Sequence, residues 1–226
     1  MSQPKKTRHV WEDSSCGVIV AHPDDEILWA GGTILMHPDA KWTIVTICRK
    51  NDADRSAKFF KALEILGAEG AMGDLDDGPE QSPLVAHEVQ RKILELLTSD
   101  RFDLIITHGL WGEYTKHLRH EETGKAVMKL WESGRLSAKE IWRFAYEDDG
   151  GKYLPRSVQD ADIYVELPEG IWQKKYDIIT ETYGFSQDSF EAKTTPRREA
   201  FWCFSKGSEG HKSQRQEKKN ESAGLI

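Results

Sequence analysis

Two short segments of this chain carry side chains whose types and spacing suit metal chemistry. The first is "VIVAHPDDE", residues 18–26, where a β-forming apolar run ends in His22, Pro23, Asp24, Asp25 and Glu26. His22 and Asp25 lie three apart across a proline that fixes the turn, so both can face one point at a strand-to-helix elbow. The second is "THGLWGEYTKHLRH", residues 107–120, which holds His108, His117 and His120. Two imidazole nitrogens and one carboxylate, with a position open for water, make a usual catalytic zinc arrangement. Such a site lowers the pKa of water to about 7. Asp24, beside Asp25, is placed to take that water's proton. Each segment alone also has a plain reading. Acids after a strand favour a helix N-terminus through its dipole, and an isolated H-x-x-H is common on helix surfaces. The metal reading depends on whether the two segments meet.

The elements that must position them alternate. "CGVIVAH" is an apolar run of strand length ending at His22, and "DEILWAGGTILMHP" reads as a helix opened by Pro23 and the acids. "KWTIVTIC" is a second strand, and "DADRSAKFFKALEILGA" is an amphipathic helix stopped by Gly67. "GAMGDLDDG" is ambiguous. "SPLVAHEVQRKILELLTS" reads as a helix with Ser82 as N-cap and Pro83 in its first position. "FDLIITHG" is a buried strand and "RHEETGKAVMKLWES" a helix; "EIWRFAYE" and "DIYVEL" read as strands and "PEGIWQKKYDIITETYG" as a late helix. "TTPRREAFWCF" has no chemical reading, and from Ser205 the sequence lacks periodic apolar residues, as a disordered tail would. The expectation is a polar leader over 1–15 and one α/β domain over 16–204, with a mainly parallel sheet covered by helices on both faces. If the sheet is doubly wound, its first strand is central and the "FDLIITHG" strand lies beside it. Ligands bind outside the carboxyl ends of strands where the winding reverses, which is where His22 and the second histidine segment meet.

The bulk properties agree with a soluble enzyme-sized domain. The chain has 226 residues, 38% hydrophobic and 31% charged, with a net charge of −7 that argues against a nucleic-acid backbone as partner. No apolar run reaches the ~20 residues of a membrane span, and "MSQPKKTRHVWEDSS" has no signal-peptide core. Cys16, Cys48 and Cys203 are few, odd in number and widely spaced, which suits a reducing cytoplasm rather than a disulfide framework. Cys16 and Cys48 sit in strand-like runs and are expected to be buried. No G-x-x-x-x-G-K-[ST] or G-x-G-x-x-G occurs, so nucleotide-binding readings have no support.

At these same residues the sequence resembles the LmbE-like, or PIG-L, family of zinc-dependent N-deacetylases. "AHPDDE", Ala21 to Glu26, matches the family's first signature without a mismatch, and "THGLWGEYTKHLRHEETGKAV" is similar to its second, G-E-Y-x-H-P-x-H after T-H. Arg55 followed by "LG", the "DG" at Asp77–Gly78 and a late "YGFSQ" are also family-like; the resemblance covers roughly residues 16–190. It implies a Rossmann-like fold and hydrolysis of an N-acetyl group, usually on an amino sugar or glycoconjugate. It implies that His22, Asp25 and His120 bind zinc and that Asp24 is the general base. His117 would stand near the oxyanion, Tyr114 would polarise the carbonyl or gate the site, and Arg55 and Asp77 would contact substrate. Two departures stand out. Two residues, Thr115 and Lys116, separate Tyr114 from His117 where the family has one, and Leu118 and Arg119 replace a Pro and an acidic or amide residue. Arg119 cannot raise the pKa of His117 as an acid would, and Glu121 or Glu122 could serve instead.

Other residues carry weaker signals. Trp111 precedes the histidines, where a sugar ring could stack on it. Arg49 and Lys50 follow the second strand and could hold a phosphate or carboxylate of the substrate. His108 borders the site either beside the ligands or as a structural residue, and Trp29, Trp131, Trp142 and Trp172 read as core. A hydrolase of a phosphoester or another amide is an alternative, as is a non-catalytic carbohydrate-binding relative. A His₂Asp site also accepts Fe²⁺ or cobalt, and homo-oligomerisation is left open.

Overall fold

A computed structural model describes residues 11–114 and 117–206. Its centre is a seven-stranded sheet in the order β3-β2-β1-β4-β5-β9-β8. β1 (Ser15–Val20), β2 (Lys41–Cys48), β3 (Glu69–Leu75), β4 (Arg101–Thr107) and β5 (Ser137–Phe144) run parallel. β6 (Tyr146–Glu147) and β7 (Arg156–Ser157) form a small separate ribbon. β9 (Arg198–Ser205) pairs antiparallel with β5, and β8 (Ile163–Glu166) pairs antiparallel with β9 at the far edge. The expected α/β class, with a mainly parallel sheet, is the observed one. Residues 1–10 and 207–226, which hold most of the expected leader and tail, lie outside the described residues.

β1, β2 and β4 are buried on both faces, as their continuous Val, Ile and Leu runs require. One core layer packs α1 (Asp25–Met36), α2 (Ala53–Leu66) and the segment after α5 (Glu169–Asp177) on one face. α3 (Ala86–Leu96) and α4 (Leu118–Glu132) cover the other. The chain therefore changes face between β1 and its neighbour β4, and the switch point lies at their carboxyl ends. Cys16 and Cys48 are buried, and burial pushes both thiols up to about 12. No described helix is long and apolar enough to cross a membrane.

Several boundaries differ from the sequence reading. β1 ends at Val20, so His22 lies beyond the strand in a turn. The ambiguous "GAMGDL" is β3; its glycines are required because a Cβ at Gly70 or Gly73 would meet the carbonyl oxygens of Ile44 or Ile47 at 2.0 and 2.5 Å. α3 starts at Ala86 rather than after Ser82. The Ser82 carbonyl accepts from Arg119 Nη2 at 2.8 Å and the Leu84 N–H donates to Glu122 at 2.7 Å, so α4 draws residues 82–85 out of helical shape. "TTPRREAFWCF" contributes β9, and "PEGIWQKKYDIITETYG" splits into α5 and a π-helical turn, Ile178–Thr182. A last short helix, α6 (Phe190–Thr194), follows, with the Ser189 hydroxyl accepting from the Ala192 N–H.

Candidate metal centre

The turn after β1 is strained and tightly held. The Ala21 N–H donates to His108 Nε2 at 3.0 Å, tying the end of β1 to the end of β4. Asp24, the N-cap of α1, has φ 108° and ψ −31°, a region that costs a non-glycine residue about 1–3 kcal/mol. Its N–H donates to Glu26 Oε2 at 3.0 Å, and its carbonyl accepts from the Ile27 and Leu28 N–H groups at 3.0 and 2.8 Å. The other Glu26 oxygen accepts from the Tyr183 hydroxyl. The Asp24 side chain makes no cap bond to the helix; it lines a cleft, and its carboxylate takes an ion pair from Arg55 Nη1 at 3.0 Å.

Three donor atoms converge beside it. His22 Nδ1 stands 3.2 Å from Asp25 Oδ2, His120 Nε2 stands 3.3 Å from the same oxygen, and the two imidazole nitrogens are 3.3 Å apart. Donors bound at 2.0–2.1 Å to one tetrahedral centre stand roughly 3.3 Å apart. This triangle has the size of a metal's ligand face. Asp25 Oδ2 also accepts from the His22 backbone N–H at 2.9 Å, and a neutral His22 ring carrying its proton on Nε2 turns the Nδ1 lone pair to the same point as His120 Nε2. His117 joins His22 and His120 in a second overlapping group of donors, and Asp25, His108 and His120 form another. His117 Nδ1 is buried without a hydrogen-bond partner among the described residues. Its ring stacks on His120 at 4.2 Å and meets His22 edge-on at 4.8 Å. These residues fit one divalent cation.

A second layer orients the donors. Glu113, fully buried, takes His120 Nδ1 at 2.7 Å and His108 Nδ1 at 2.9 Å on one oxygen. A carboxylate only accepts, so both rings carry their proton on Nδ1, and His120 Nε2 is left free to bind. Burial opposes the charge on Glu113, but His108 and His120 pull its pKa down to about 2. Two effects compete at His108. Burial lowers its pKa, and Glu113 and Asp25 carry it to about 9. The Ala21 N–H, which donates to its Nε2, pulls the other way, towards the neutral ring. Trp29 Nε1 donates to Asp25 Oδ1 at 3.3 Å, so this core indole also steers a ligand. Asp77 Oδ1 lies 3.2 Å from His22 Nε2 but is not aligned for a hydrogen bond.

The charges divide by environment. Burial raises the Asp25 carboxyl, and the imidazoles of His120 and His108 outweigh it, holding it well below the usual range. Burial and the adjacent Asp25 push Asp24 up to about 7 against the opposing Arg55 charge. Burial, then the His120 and His22 rings, lowers His117 to about 3, so it is neutral. Burial holds the Tyr114 phenol above its ordinary value, so it stays protonated.

The cleft above these groups has a volume of about 310 Å³ and is lined by His22, Pro23, Asp24, Asp25, Leu28, Arg49, Asp52, Arg55, Asp77, Tyr114, His117, Phe190 and Glu191. Of the residues singled out from the sequence, His22, Asp24, Asp25, His117 and Tyr114 line it, with His120 directly beneath. Arg55 is there too, but it pairs with Asp24 and lies 4.8 Å over the Phe185 ring. Arg49 is bound to Asp77 at 2.5 Å. Trp111 does not line the cleft; it is exposed, with Lys125 Nζ 5.3 Å over its ring. Arg119 turns away from His117 to the Asp76 and Ser82 carbonyls and Glu122, and Glu122 is committed to that contact, so neither orients His117. Sequence reasoning overlooked Glu113, although "GEY" contains it, and overlooked Phe190 and Glu191, which no motif marks. A larger depression of about 620 Å³ lies at the opposite ends of the strands, by Ser15, Arg101 and Ser137. Its Asp103 and Lys139 pair with each other at 2.6 Å, and neither donor group lies there.

Known proteins resemble this chain in sequence and in fold. Residues 17–131 match the PIG-L family, described as GlcNAc-PI de-N-acetylase. The uncharacterized protein L374 of Acanthamoeba polyphaga mimivirus is 23% identical over 182 residues, 74% of this chain and 75% of that protein. Among solved structures, the A40926 pseudoaglycone deacetylase Dbv21 superposes with a TM-score of 0.57 at 14% identity, over 88% of this chain and 100% of that one. The zinc-inhibited form of teicoplanin deacetylase Orf2 gives 0.56 at 13% identity, over 85% of this chain and 99% of that one. At such identities the superpositions speak to the fold. The family match spans 17–131, more than half of the 226 residues, and includes both histidine segments: the chain belongs to the PIG-L family.

Proposed function

We propose that the protein is a zinc-dependent N-deacetylase that hydrolyses the N-acetyl amide of an amino sugar or glycoconjugate and releases acetate. The observation that carries this reading is the 3.2–3.3 Å triangle of His22, Asp25 and His120 beside Asp24 in an open cleft. His22, Asp25 and His120 are the protein ligands, and the chemistry zinc supplies there is polarisation of the carbonyl and acidification of water.

The chain's own groups do the rest. The Asp24 carboxylate accepts the proton of the attacking water and passes it to the amine nitrogen as the C–N bond breaks, a role worth ~10²–10⁴ in rate. Its raised pKa suits both halves of that task, and Arg55 keeps the carboxylate aimed into the cleft. The Tyr114 hydroxyl is protonated and has no partner among the described residues, so it donates to the carbonyl oxygen. Neutral His117 adds a donor at the developing oxyanion; removing one such donor typically costs ~10²–10³. A phosphoester hydrolase of the two-metal kind needs two ligand sets, whereas both donor groups here share His120.

The test is acetate release from N-acetylated sugars presented free, nucleotide-linked and lipid-linked, by zinc-loaded protein and by its Asp24→Asn variant. Acetate from the native protein alone supports the reading. Equal acetate from both proteins refutes the assignment of Asp24, and none from any substrate by protein holding one zinc refutes the reaction.

A further inference from the structure

The cleft has one wall that neither the metal nor the proton transfer uses. α6 brings Phe190 and Glu191 to it side by side. Phe190 is 37% exposed although it opens a helix packed on the core, and its ring lies 5.0 Å from that of Tyr114, tilted by 58°. A partly exposed aromatic ring thus stands beside the group assigned to the carbonyl. The Glu191 carboxylate has no hydrogen bond or ion pair among the described residues. That is unusual in this neighbourhood, where Asp24 is held by Arg55 and Asp77 by Arg49. Glu191 is near enough to both Asp24 and Tyr114 for its charge to be felt at each.

We propose that Phe190 and Glu191 form the sugar-recognition subsite: the ring of a neutral pyranose lies against Phe190, and Glu191 accepts hydrogen bonds from two of its adjacent hydroxyls. This deepens the deacetylase reading and rests on it. The chemistry is specific. The C–H face of a pyranose is apolar and covers an aromatic ring, while its edge carries neighbouring O–H donors that one carboxylate can take in bidentate fashion. An unpaired carboxylate also repels anions, so a phosphate on the substrate cannot lie at the α6 end. Arg49 and Arg55 also line the cleft, and an anionic substituent is tolerated beside them. The cleft volume of about 310 Å³ is at the small end for a ligand site, in keeping with one sugar residue rather than a chain. Phe190 takes the stacking role for which the sequence offered Trp111.

The experiment measures binding and turnover separately on the zinc-loaded protein and its Glu191→Gln, Phe190→Ala and Phe190→Leu variants. Ligand-observed NMR gives Kd for N-acetyl-D-glucosamine and for N-acetylethanolamine, which carries the amide without the ring; acetate release is read in the same samples. Glu191→Gln and Phe190→Ala should each weaken N-acetyl-D-glucosamine about tenfold, with Phe190→Leu between native and Ala. Binding of N-acetylethanolamine should change less than twofold in all three. Sugar affinity within twofold of native in both Glu191→Gln and Phe190→Ala overturns the subsite, whatever the acetate shows. Sugar binding that depends on Glu191 keeps the subsite even where the free, nucleotide-linked and lipid-linked N-acetyl sugars all release no acetate, a result that refutes the deacetylase reading alone, so the two failures are distinguishable.

Discussion

Two clusters of buried charge lie within one turn or two of α1, and they are built on opposite principles. Behind the helix, Glu199 of β9 and Lys175 of α5 are wholly buried and paired with each other. One Glu199 oxygen accepts from the Gly32 N–H at 2.7 Å and Lys175 Nζ at 2.6 Å; the other accepts from the Thr33 N–H and hydroxyl at 2.7 and 2.6 Å. At the front of the helix, two imidazole nitrogens and a carboxylate oxygen crowd within 3.3 Å of one another, His117 Nδ1 has no partner among the described residues, and Asp24 sits in a left-handed backbone conformation. Burying charge is costly unless each group is paired. The rear cluster meets that requirement within the protein. The front cluster meets it in part, through the His22 N–H, Trp29 and Glu113, and leaves His117 Nδ1 and His22 Nε2 without a hydrogen-bond partner among the described residues, and so it reads as a binding site while the other reads as a fastener.

The contrast can be broken at either end. The largest effect is expected at the front: His120→Ala should lose the metal and with it all acetate release, whereas a full equivalent of tightly held zinc in that variant would remove His120 from the ligand set. Asp24→Asn should keep its zinc and lose ~10²–10⁴ in kcat, read by metal analysis and single-substrate kinetics on one sample. At the rear, Lys175→Met should destabilise the fold by about 3–5 kcal/mol, since it strands a buried carboxylate. Denaturant unfolding measures this, and its zinc stoichiometry should be unchanged. An unaltered unfolding midpoint would mean the pair is not the fastener described. Glu113→Gln sits between the two clusters in kind. It keeps the shape but cannot satisfy two N–H donors with one charged oxygen, and zinc affinity should fall by about 10–100-fold.

The smallest effect is a matter of pH. Burial pushes the Glu26 carboxyl up to about 8, well above its value in an unfolded chain. The folded protein therefore binds the proton more tightly, and the stabilisation it gives is complete at low pH and lost as pH rises through 8. Metal-free protein should lose stability against its Glu26→Gln variant as pH rises from 5 to 8. A parallel pair of thermal midpoints across that range would contradict it.

Much of the front cluster was legible in the sequence because its parts are local or fixed by topology. "AHPDDE" sets His22, Asp24 and Asp25 on one turn, and a doubly wound sheet must bring the end of β4 beside it. Glu113 escaped notice because its function is to hold two rings that only the fold stacks, at 4.0 Å. Glu26 passed for a helix-opening acid, since nothing local shows that Tyr183, 157 residues away, reaches it. The rear cluster was illegible for the same reason: Glu199 lies in "RREAF", whose antiparallel pairing with β5 and β8 leaves no local pattern. Phe190 and Glu191 belong to a five-residue helix too short for a periodic signal.

The most direct test of the account is a zinc titration of metal-free protein with acetate release from N-acetyl-D-glucosamine conjugates followed at each step. The expected result is activity that climbs in proportion to zinc and stops climbing at one equivalent per chain, with Asp24→Asn binding the same single equivalent in silence. Full acetate release from the chelated, zinc-free protein would contradict it.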